Sequence, residues 1–502
     1  TMELLANLQL GFGVALAGTN ILYCFIGVLL GTLIGVLPGI GPVATIAMLL
    51  PATFVLPPVS ALIMLAGIYY GASYGGSTTA ILVNLPGEVS SVVTCLDGHQ
   101  MAKQGNAGKA LAVAALGSFF AGTVATILVA AFAPPLAELA LKFGPADYFS
   151  LMVLGLIAAV VLAHGSLIKA VAMIVLGLLV GLIGTDVNSG VARYNFGLPE
   201  LIDGVGIGPI AMGIFGFGEI IRNLEHGQKR EVFVKKVTGL MPTWQDIKIS
   251  TLPVIRGTVL GSFLGILPGG GPILGSFSAY TLEKKLSKTP ERFGKGAIEG
   301  VAAPESANNA AAQTSFIPLL TLGIPSNPVM ALMIGAMIIH GIQPGPQIMT
   351  AKPDLFWGMI ASMWVGNLLL VVLNLPLIGM WVKLLTLEYR FLYPAILLFC
   401  CIGVYSINNS WMDVQLAAIF GFIGYLFGKL DCEAAPLLLG FVLGPMMEEN
   451  LRRALLLSRG DPAVFVTRPI SATLLVLAVL LLAIVLAPSV RKKREETFVE
   501  DV

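Results

Sequence analysis

Gly31-Thr32-Leu33-Ile34-Gly35-Val36-Leu37-Pro38-Gly39-Ile40-Gly41-Pro42 returns 230 residues later as Gly261-Ser262-Phe263-Leu264-Gly265-Ile266-Leu267-Pro268-Gly269-Gly270-Gly271-Pro272. Gly31, Gly35, Leu37, Pro38, Gly39, Gly41 and Pro42 have the same residue type at the equivalent later position. Each copy ends an apolar run on a Pro-Gly-x-Gly-Pro patch. Proline removes a backbone donor and glycine relaxes the φ restriction, so a helix is predicted to break there. Within a bilayer, broken backbone survives only where protein or a water-filled cavity satisfies its polar groups. Paired breaks in two halves of a hydrophobic chain are the pattern that discontinuous helices make around a midplane ligand site. The plainer alternative is a pair of kinks that only serve helix packing.

The remaining composition fixes the solvent. The 502 residues are 56% hydrophobic and 11% charged, with a mean hydropathy of +0.88, whereas a soluble domain carries roughly 25% charged residues. Apolar runs of about 20 residues recur, long enough to cross a bilayer. The expected fold class is an all-α polytopic membrane protein. A net charge of +1 and the lack of a basic patch with interleaved aromatics argue against a nucleic-acid partner. Cys24, Cys95, Cys400, Cys401 and Cys432 form no CxxC and read as reduced packing residues. His99, His164, His226 and His340 are scattered without metal spacing. No nucleophile elbow, Walker loop or HExxH is present, so neither an enzyme nor a transition-metal site is expected. The first residues carry no basic n-region, so the first apolar segment is expected to stay in the mature protein.

Taken in order, residues 4–17 are apolar and suit either an interfacial helix or a tilted span. A helix from about Ile21 runs into the first break, and a second apolar segment, 59–70, leads into Gly71-Ala72-Ser73-Tyr74-Gly75-Gly76-Ser77-Thr78-Thr79 and Asn84-Leu85-Pro86-Gly87. Spans are predicted at about 110–133, 148–163, 168–185 and 205–221. The polar stretch Arg222–Lys248 holds six Lys or Arg against three acids and reads as a linker, with an interfacial helix starting near Trp244. After the second break come Pro304-Glu305-Ser306-Ala307-Asn308-Asn309, Gln313-Thr314-Ser315 and Leu322-Gly323-Ile324-Pro325-Ser326. Later spans are predicted near 328–342, 355–380, 391–406, 411–428, 434–447 and 469–488.

Two further matches extend the repeat. Asn84–Gly87 aligns with Gly323–Ser326, 239 positions on, and His164-Gly165-Ser166 with Gly177 and Gly184 aligns with Asn408-Asn409-Ser410, Gly421 and Gly428, 244 positions on. Positive charge separates equivalent loops. Residues 51–58 carry none, whereas 283–295 carry five basic residues; 97–109 hold Lys103 and Lys109, whereas 343–353 hold only Lys352. Because positive loops face the cytoplasm, the two halves are predicted to be inverted-topology repeats with paired re-entrant or discontinuous helices. The organisation expected is a first repeat at 1–221, a cytoplasmic linker at 222–250, a second repeat with the last span at 251–488, and a cytoplasmic tail at 489–502. Arg452, Arg453, Arg459 and Arg468 disagree, since this count puts their loop outside.

Helix N-termini at the breaks bind anions, and unwound carbonyls bind cations. The candidate substrate-binding residues are Pro38, Gly39, Gly41, Ser77, Thr78, Thr79, Asn84, Gly269, Gly270, Gly271, Asn308, Asn309, Thr314, Ser315 and Ser326. The candidate cation-coupling residues are Ser73, Glu305, Ser306 and Gln313, whose oxygens suit Na+. For the hydroxyls the alternative is inter-helix packing with weak hydrogen bonds. Glu305 draws most notice, since an ionisable group inside a membrane segment is costly; the alternative places it near the cytoplasmic surface. Its counterpart in the first half is Ala66, so the charge is not part of the duplicated scaffold.

At these motifs the chain resembles the large membrane subunit of tripartite tricarboxylate transporters, the TctA type. The residues that carry the likeness are Gly35–Pro42, Tyr70–Thr79, Asn84–Gly87, Asp97-Gly98-His99-Gln100-Met101-Ala102-Lys103, Gly265–Pro272, Pro304–Asn309 and Leu322–Ser326, and it spans about 10–485. The resemblance implies a secondary active transporter subunit of the bacterial inner membrane. Its partners would be a small four-helix membrane subunit and a periplasmic substrate-binding protein. It would import citrate or a related carboxylate on a cation gradient, Na+ rather than H+. No cofactor other than the coupling ion is expected, and assembly as a homo-oligomer stays open. By analogy with hairpin transporters an elevator-like motion is expected. The alternative from another class is a passive organic-anion channel.

Overall fold

The computed structural model describes residues 2–37, 41–163, 166–186, 189–226, 237, 239–269, 271–385 and 389–486. Five helices among them are long and apolar enough to cross a membrane: Gly18–Val36, Ala107–Ala140, Trp244–Ile266, Pro353–Asn374 and Trp411–Lys429. Shorter apolar helices lie between them. The chain is thus an α-helical polytopic membrane protein. One departure from pure helix is a ribbon of two-residue strands, β1 (Gly184–Thr185) and β2 (Ala192–Arg193), paired antiparallel. It replaces the end of the span expected at 168–185.

The chain opens with α1 (Met2–Ala15), which packs by Gly11 on the backbone of Trp357. Then come α2 (Gly18–Val36), α3 (Gly41–Thr53) and α4 (Pro58–Val83). Gly27, Gly31 and Gly35 of α2 meet the backbone of Met64, Ile68 and Ala72 of α4 in rising order, so the two helices run parallel. At their shared starting end the Ser60 hydroxyl donates to Asn20 Oδ1 at 2.5 Å. Since α4 begins where α2 begins, α3 must return between them, and α2–α3 form a hairpin. The apolar segment 59–70 and the polar cluster it leads into form one helix to Val83, whose polar residues are small and buried. It ends at Asn84 in the left-handed region, φ 58°.

The second break repeats this arrangement. Its helices are α9 (Trp244–Ile266), α10 (Gly271–Leu286), α11 (Glu299–Thr314) and α12 (Phe316–Leu322). Gly257, Gly261 and Gly265 of α9 meet Ala303, Ala307 and Ala311 of α11, again in rising order. A bidentate pair from Arg256 to Glu283, at 2.6 and 2.7 Å, clasps α9 to the returning α10. α12 ends at Gly323, also left-handed at φ 70°. Its position corresponds to Asn84.

These two units cross. Ser77 of α4 reaches Glu305 of α11. Ile81, later on α4, meets Gly98, which also faces Val301, earlier on α11. Tyr69, earlier on α4, touches Phe316 and Asn327 beyond the end of α11. α4 and α11 therefore run antiparallel across the centre of the molecule.

Longer helices frame the crossing. α5 (Ala107–Ala140) continues through Pro134 and Pro135 instead of stopping at 133. α6 (Pro145–Leu162) and α7 (Leu167–Gly181) follow. α8 spans 207–226 and carries a π-turn at Met212–Phe217. After α13 (Pro328–Ile339) and α14 (Pro353–Asn374), the span expected at 355–380 breaks into a separate α15 (Ile378–Leu385). The remainder is α16 (Tyr389–Asn408), α17 (Trp411–Lys429), α18 (Ala435–Leu457) and α19 (Pro469–Leu486). α7 packs by Gly177 on the Leu437 carbonyl of α18, while α8 packs by Gly213 on the Ala417 carbonyl of α17.

α18 runs ten residues past the 447 expected, carrying Glu448, Glu449, Arg452 and Arg453 out of the apolar zone. The arginines that disagreed with the loop charge count are mostly neutralised there. Arg452 pairs with Asp186 and Glu448, Arg453 with Glu449 and Arg468 with Asp147.

The motif around Asp97 fastens the two units at one end. Buried Asp97 Oδ1 accepts the N–H groups of Gly296 and Ala297 at 2.8 Å, and its Oδ2 accepts from the Tyr280 hydroxyl at 3.0 Å. Asp97→Ala leaves those buried donors unsatisfied and is expected to cost about 3 kcal/mol. Asp97→Asn keeps Oδ1 and should recover part of the loss. Thermal unfolding in detergent measures both; an alanine variant as stable as the parent would remove this clasp from the account.

Candidate functional site

The crossing of α4 and α11 buries a carboxylate. Pro304 lies inside α11, and Glu305 follows with no exposure to solvent. Its Oε2 accepts from the Ser77 hydroxyl and its Oε1 from Thr94. Glu305 is therefore deep in the molecule and not near a surface. Ser77 has one hydrogen and two acceptors, Glu305 and the Ser73 carbonyl at 3.0 Å. When that hydrogen serves an ionised Glu305, the Ser73 carbonyl is released.

A second acid sits beside it, and sequence reading missed it. Glu88 lies just behind the break at Asn84–Gly87 and caps the short turns that begin at Val89. Its Oε1 accepts from Ser90 and from Asn308 Nδ2, the latter at 3.2 Å. Ser73 faces the same carboxylate. Among the described residues, no lysine or arginine forms an ion pair with Glu88 or Glu305. Burying such charges costs several kcal/mol each unless they are hydrogen-bonded and compensated. Glu88 stands where Asn327 stands in the other unit, since Asn84–Gly87 matches Gly323–Ser326. The signal that singled out Glu305, an acid in an apolar context, was there for Glu88 too. Thr94 gave no such signal, because only the fold brings it to Glu305.

The other candidates divide. Ser77 and Thr78 line a polar cavity of about 10 Å³ with Tyr74, Ser118 and Asn374, room for one water. Gln313 is buried with neither amide atom hydrogen-bonded, and Ser73 Oγ and Asn308 Oδ1 are likewise unsatisfied. Ser306, expected beside Glu305, instead donates to the Ala302 carbonyl and faces Gly117 of α5, because one helical step turns it to the opposite side. Asn309 turns the same way and donates to Ser118 at 2.7 Å. Thr79 donates to the Val36 carbonyl at 2.9 Å, closing the end of α2. Thr314 and Ser315 donate to carbonyls one turn back on their own helix. Asn84 caps α4 with its side chain exposed. Pro38, Gly39 and Gly270 lie outside the described residues, as do His164, residues 227–236 and 238 of the linker, and the tail.

The second break brings two helix starts together. Gly269 N–H donates to the Ser326 carbonyl at 2.8 Å, and Gly271, at the start of α10, lies against Asn327. Asn327 caps α13 by accepting from Met330 N at 3.0 Å. The 16-residue α10 and the 12-residue α13 thus direct their positive ends to one place. Gly41, the equivalent start in the first unit, has φ 65° and open space at its Cβ position. The two breaks therefore differ in charge: an acid stands behind the first, and a neutral asparagine behind the second.

Comparison with known proteins adds what geometry does not. Residues 21–439 match the tripartite tricarboxylate transporter TctA family. An uncharacterized 52.8 kDa protein in the TAR-I ttuC' 3' region of Agrobacterium vitis is 62% identical over 500 residues, the whole of both chains. An uncharacterized protein in the TAR-II ttuC' 3' region of the same organism is 64% identical over 241 residues, all of that protein and 48% of this one. No solved structure matches.

Proposed function

The chain belongs to the tripartite tricarboxylate transporter TctA family, and from that premise we propose that it is the carrier subunit of a secondary active importer of citrate or a related carboxylate. The observation that carries the reading is the second break. Two helix N-termini meet there at Gly271 and Asn327. Such a junction suits a carboxylate without a buried lysine or arginine. Coupling to a Na+ gradient, in preference to H+, is supported by the acids Glu305 and Glu88 at the crossing. Delivery by a periplasmic binding protein and association with a small four-helix membrane subunit, in a bacterial inner membrane, follow from the family. In this reading no chemical bond in the substrate is changed.

The halves 1–221 and 251–488 are proposed to be inverted repeats joined by the linker at 222–250. The matched glycine contacts, the left-handed caps at Asn84 and Gly323 and the antiparallel course of α4 and α11 support this. An elevator-like motion of the two hairpins against the framing helices is proposed with it. Labels on the α9–α10 hairpin and on α7 should change separation with substrate and cation; fixed distances through the cycle would sink the elevator. Substrate class is tested by competition: a panel of mono-, di- and tricarboxylates should inhibit uptake of labelled citrate in membrane vesicles supplied with the binding protein. Equal inhibition by uncharged analogues would contradict recognition of the carboxylates.

A further inference from the structure

Glu88 is a half-buried acid whose hydrogen bonds do not use all of it. Both of its bonds fall on Oε1, from Ser90 and Asn308, so Oε2 is left to another partner. Around it lie oxygens with no bond of their own. Ser73 Oγ, Ser91 Oγ and Asn308 Oδ1 are all buried and unsatisfied, and the first two residues have no exposed surface. All three residues lie beside Glu88. Ser73 faces the Glu88 carboxylate, and Asn308 already touches it. Ser91 Oγ and Glu88 Cγ lie 2.7 and 3.0 Å from the point where a Cβ on Gly76 would sit, which leaves a glycine as the residue that fits there. A buried unsatisfied polar atom costs about 1–3 kcal/mol, and three beside one carboxylate are an unusual accumulation.

The donor set defines the occupant. Carboxylate, amide and hydroxyl oxygens with no nitrogen or sulfur suit a hard cation. A single available carboxylate suits one positive charge. Each oxygen of Glu305 accepts one hydroxyl, from Ser77 and from Thr94, whereas Oε2 of Glu88 accepts none. Glu305 lies about one helical turn from Asn308.

We propose that Glu88, Ser73, Ser91 and Asn308 Oδ1 bind a Na+ ion between the two units, with the Glu305 carboxyl close by on α11. The proposal rests on the reading of the chain as a cation-coupled carrier and names the residues that hold the coupling ion. The ion would bridge α4 and the first break to α11, so its arrival and departure would change the contact between the units. The centre of the site is then Glu88, which the first half supplies, and not Ser306 or Gln313.

Thermal unfolding of the purified full chain in detergent tests it, with NaCl titrated against choline chloride and KCl at constant ionic strength. The unfolding temperature should rise saturably with Na+ alone. Glu88→Gln and Ser73→Ala should each raise the half-saturating Na+ concentration at least tenfold, while Ser306→Ala leaves it unchanged. Should Glu88→Gln fail to fold, Ser91→Ala and Asn308→Ala are judged by the same tenfold criterion. Na+ stabilisation that survives these substitutions, or that choline matches, overturns the site. Na+-driven carboxylate uptake with Na+ binding intact in Glu88→Gln would overturn the site and spare the transport reading. Na+ binding lost in Glu88→Gln in a protein that moves no carboxylate would do the reverse.

Discussion

Glu305→Gln is expected to lower cation-driven carboxylate uptake on the order of a hundredfold, with the protein still folded. Hydrogen bonds to a charged group are worth about 1.5–3 kcal/mol, and 1.4 kcal/mol is about tenfold. Two such bonds, from Ser77 and Thr94, converge on this carboxylate. Glutamine keeps the volume and one acceptor but turns an –NH2 toward a hydroxyl that had been donating. It also removes the negative charge facing Glu88. Where the –NH2 faces Ser77, that hydroxyl gives its hydrogen to the Ser73 carbonyl and the switch between acceptors is lost. Glu305→Asp keeps the charge on a shorter stem and should retain more uptake than the glutamine variant. Initial rates in proteoliposomes, with size-exclusion profiles as the check on folding, measure this. Parental rates in Glu305→Gln would remove the residue from the transport cycle.

Gly261→Ala is expected to abolish most folded protein. A Cβ at that position would lie 2.2 Å from the Ala307 carbonyl oxygen and 2.6 Å from its Cα. Close Cα–H···O contacts between helices need about 3.3–3.6 Å, so α9 and α11 would have to separate by roughly an ångström along their contact. Overpacking of this kind costs about 1–3 kcal/mol even where neighbours can shift, and here the obstacle is backbone. The same separation would pull Gly269 from the Ser326 carbonyl and open the second break. Gly31→Ala, whose Cβ would lie 2.4 Å from the Ile68 carbonyl oxygen, should behave alike. Gly13→Ala, with nothing within 4 Å, is the control and should be neutral or slightly stabilising. Yield of monodisperse protein and unfolding temperature separate these outcomes; equal yields for Gly261→Ala and Gly13→Ala would show that the two helices pack less tightly than described.

Much of this was legible in the chain. Hydropathy alone reported the helices, and the repeat of Gly31 and Gly35 as Gly261 and Gly265 marked positions where the structure brings a neighbouring helix's carbonyl too close for a side chain. The match of Asn84 to Gly323 held down to the left-handed backbone. What could not be read was which way each polar side chain turns. Glu305 and Ser306 are neighbours in sequence, yet one faces α4 and the other α5, since successive helical residues point about 100° apart. Thr79 looked like a ligand because hydroxyls that close a helix end and hydroxyls that bind a substrate have the same composition. Thr94 could be linked to Glu305 only by tertiary folding. Glu88 was overlooked for a different reason: its neighbour Pro86-Gly87 marked the place as a turn, where an acid attracts no notice.

The most direct test of the carrier reading is the accumulation ratio of labelled citrate in vesicles containing this subunit and its two partners. With Na+ outside and none inside, internal citrate should rise well above the external concentration, then fall back to equality when an ionophore collapses the Na+ gradient. Uptake that reaches only equality under every Na+ and pH gradient would contradict active transport and mark the protein as a passive anion pathway.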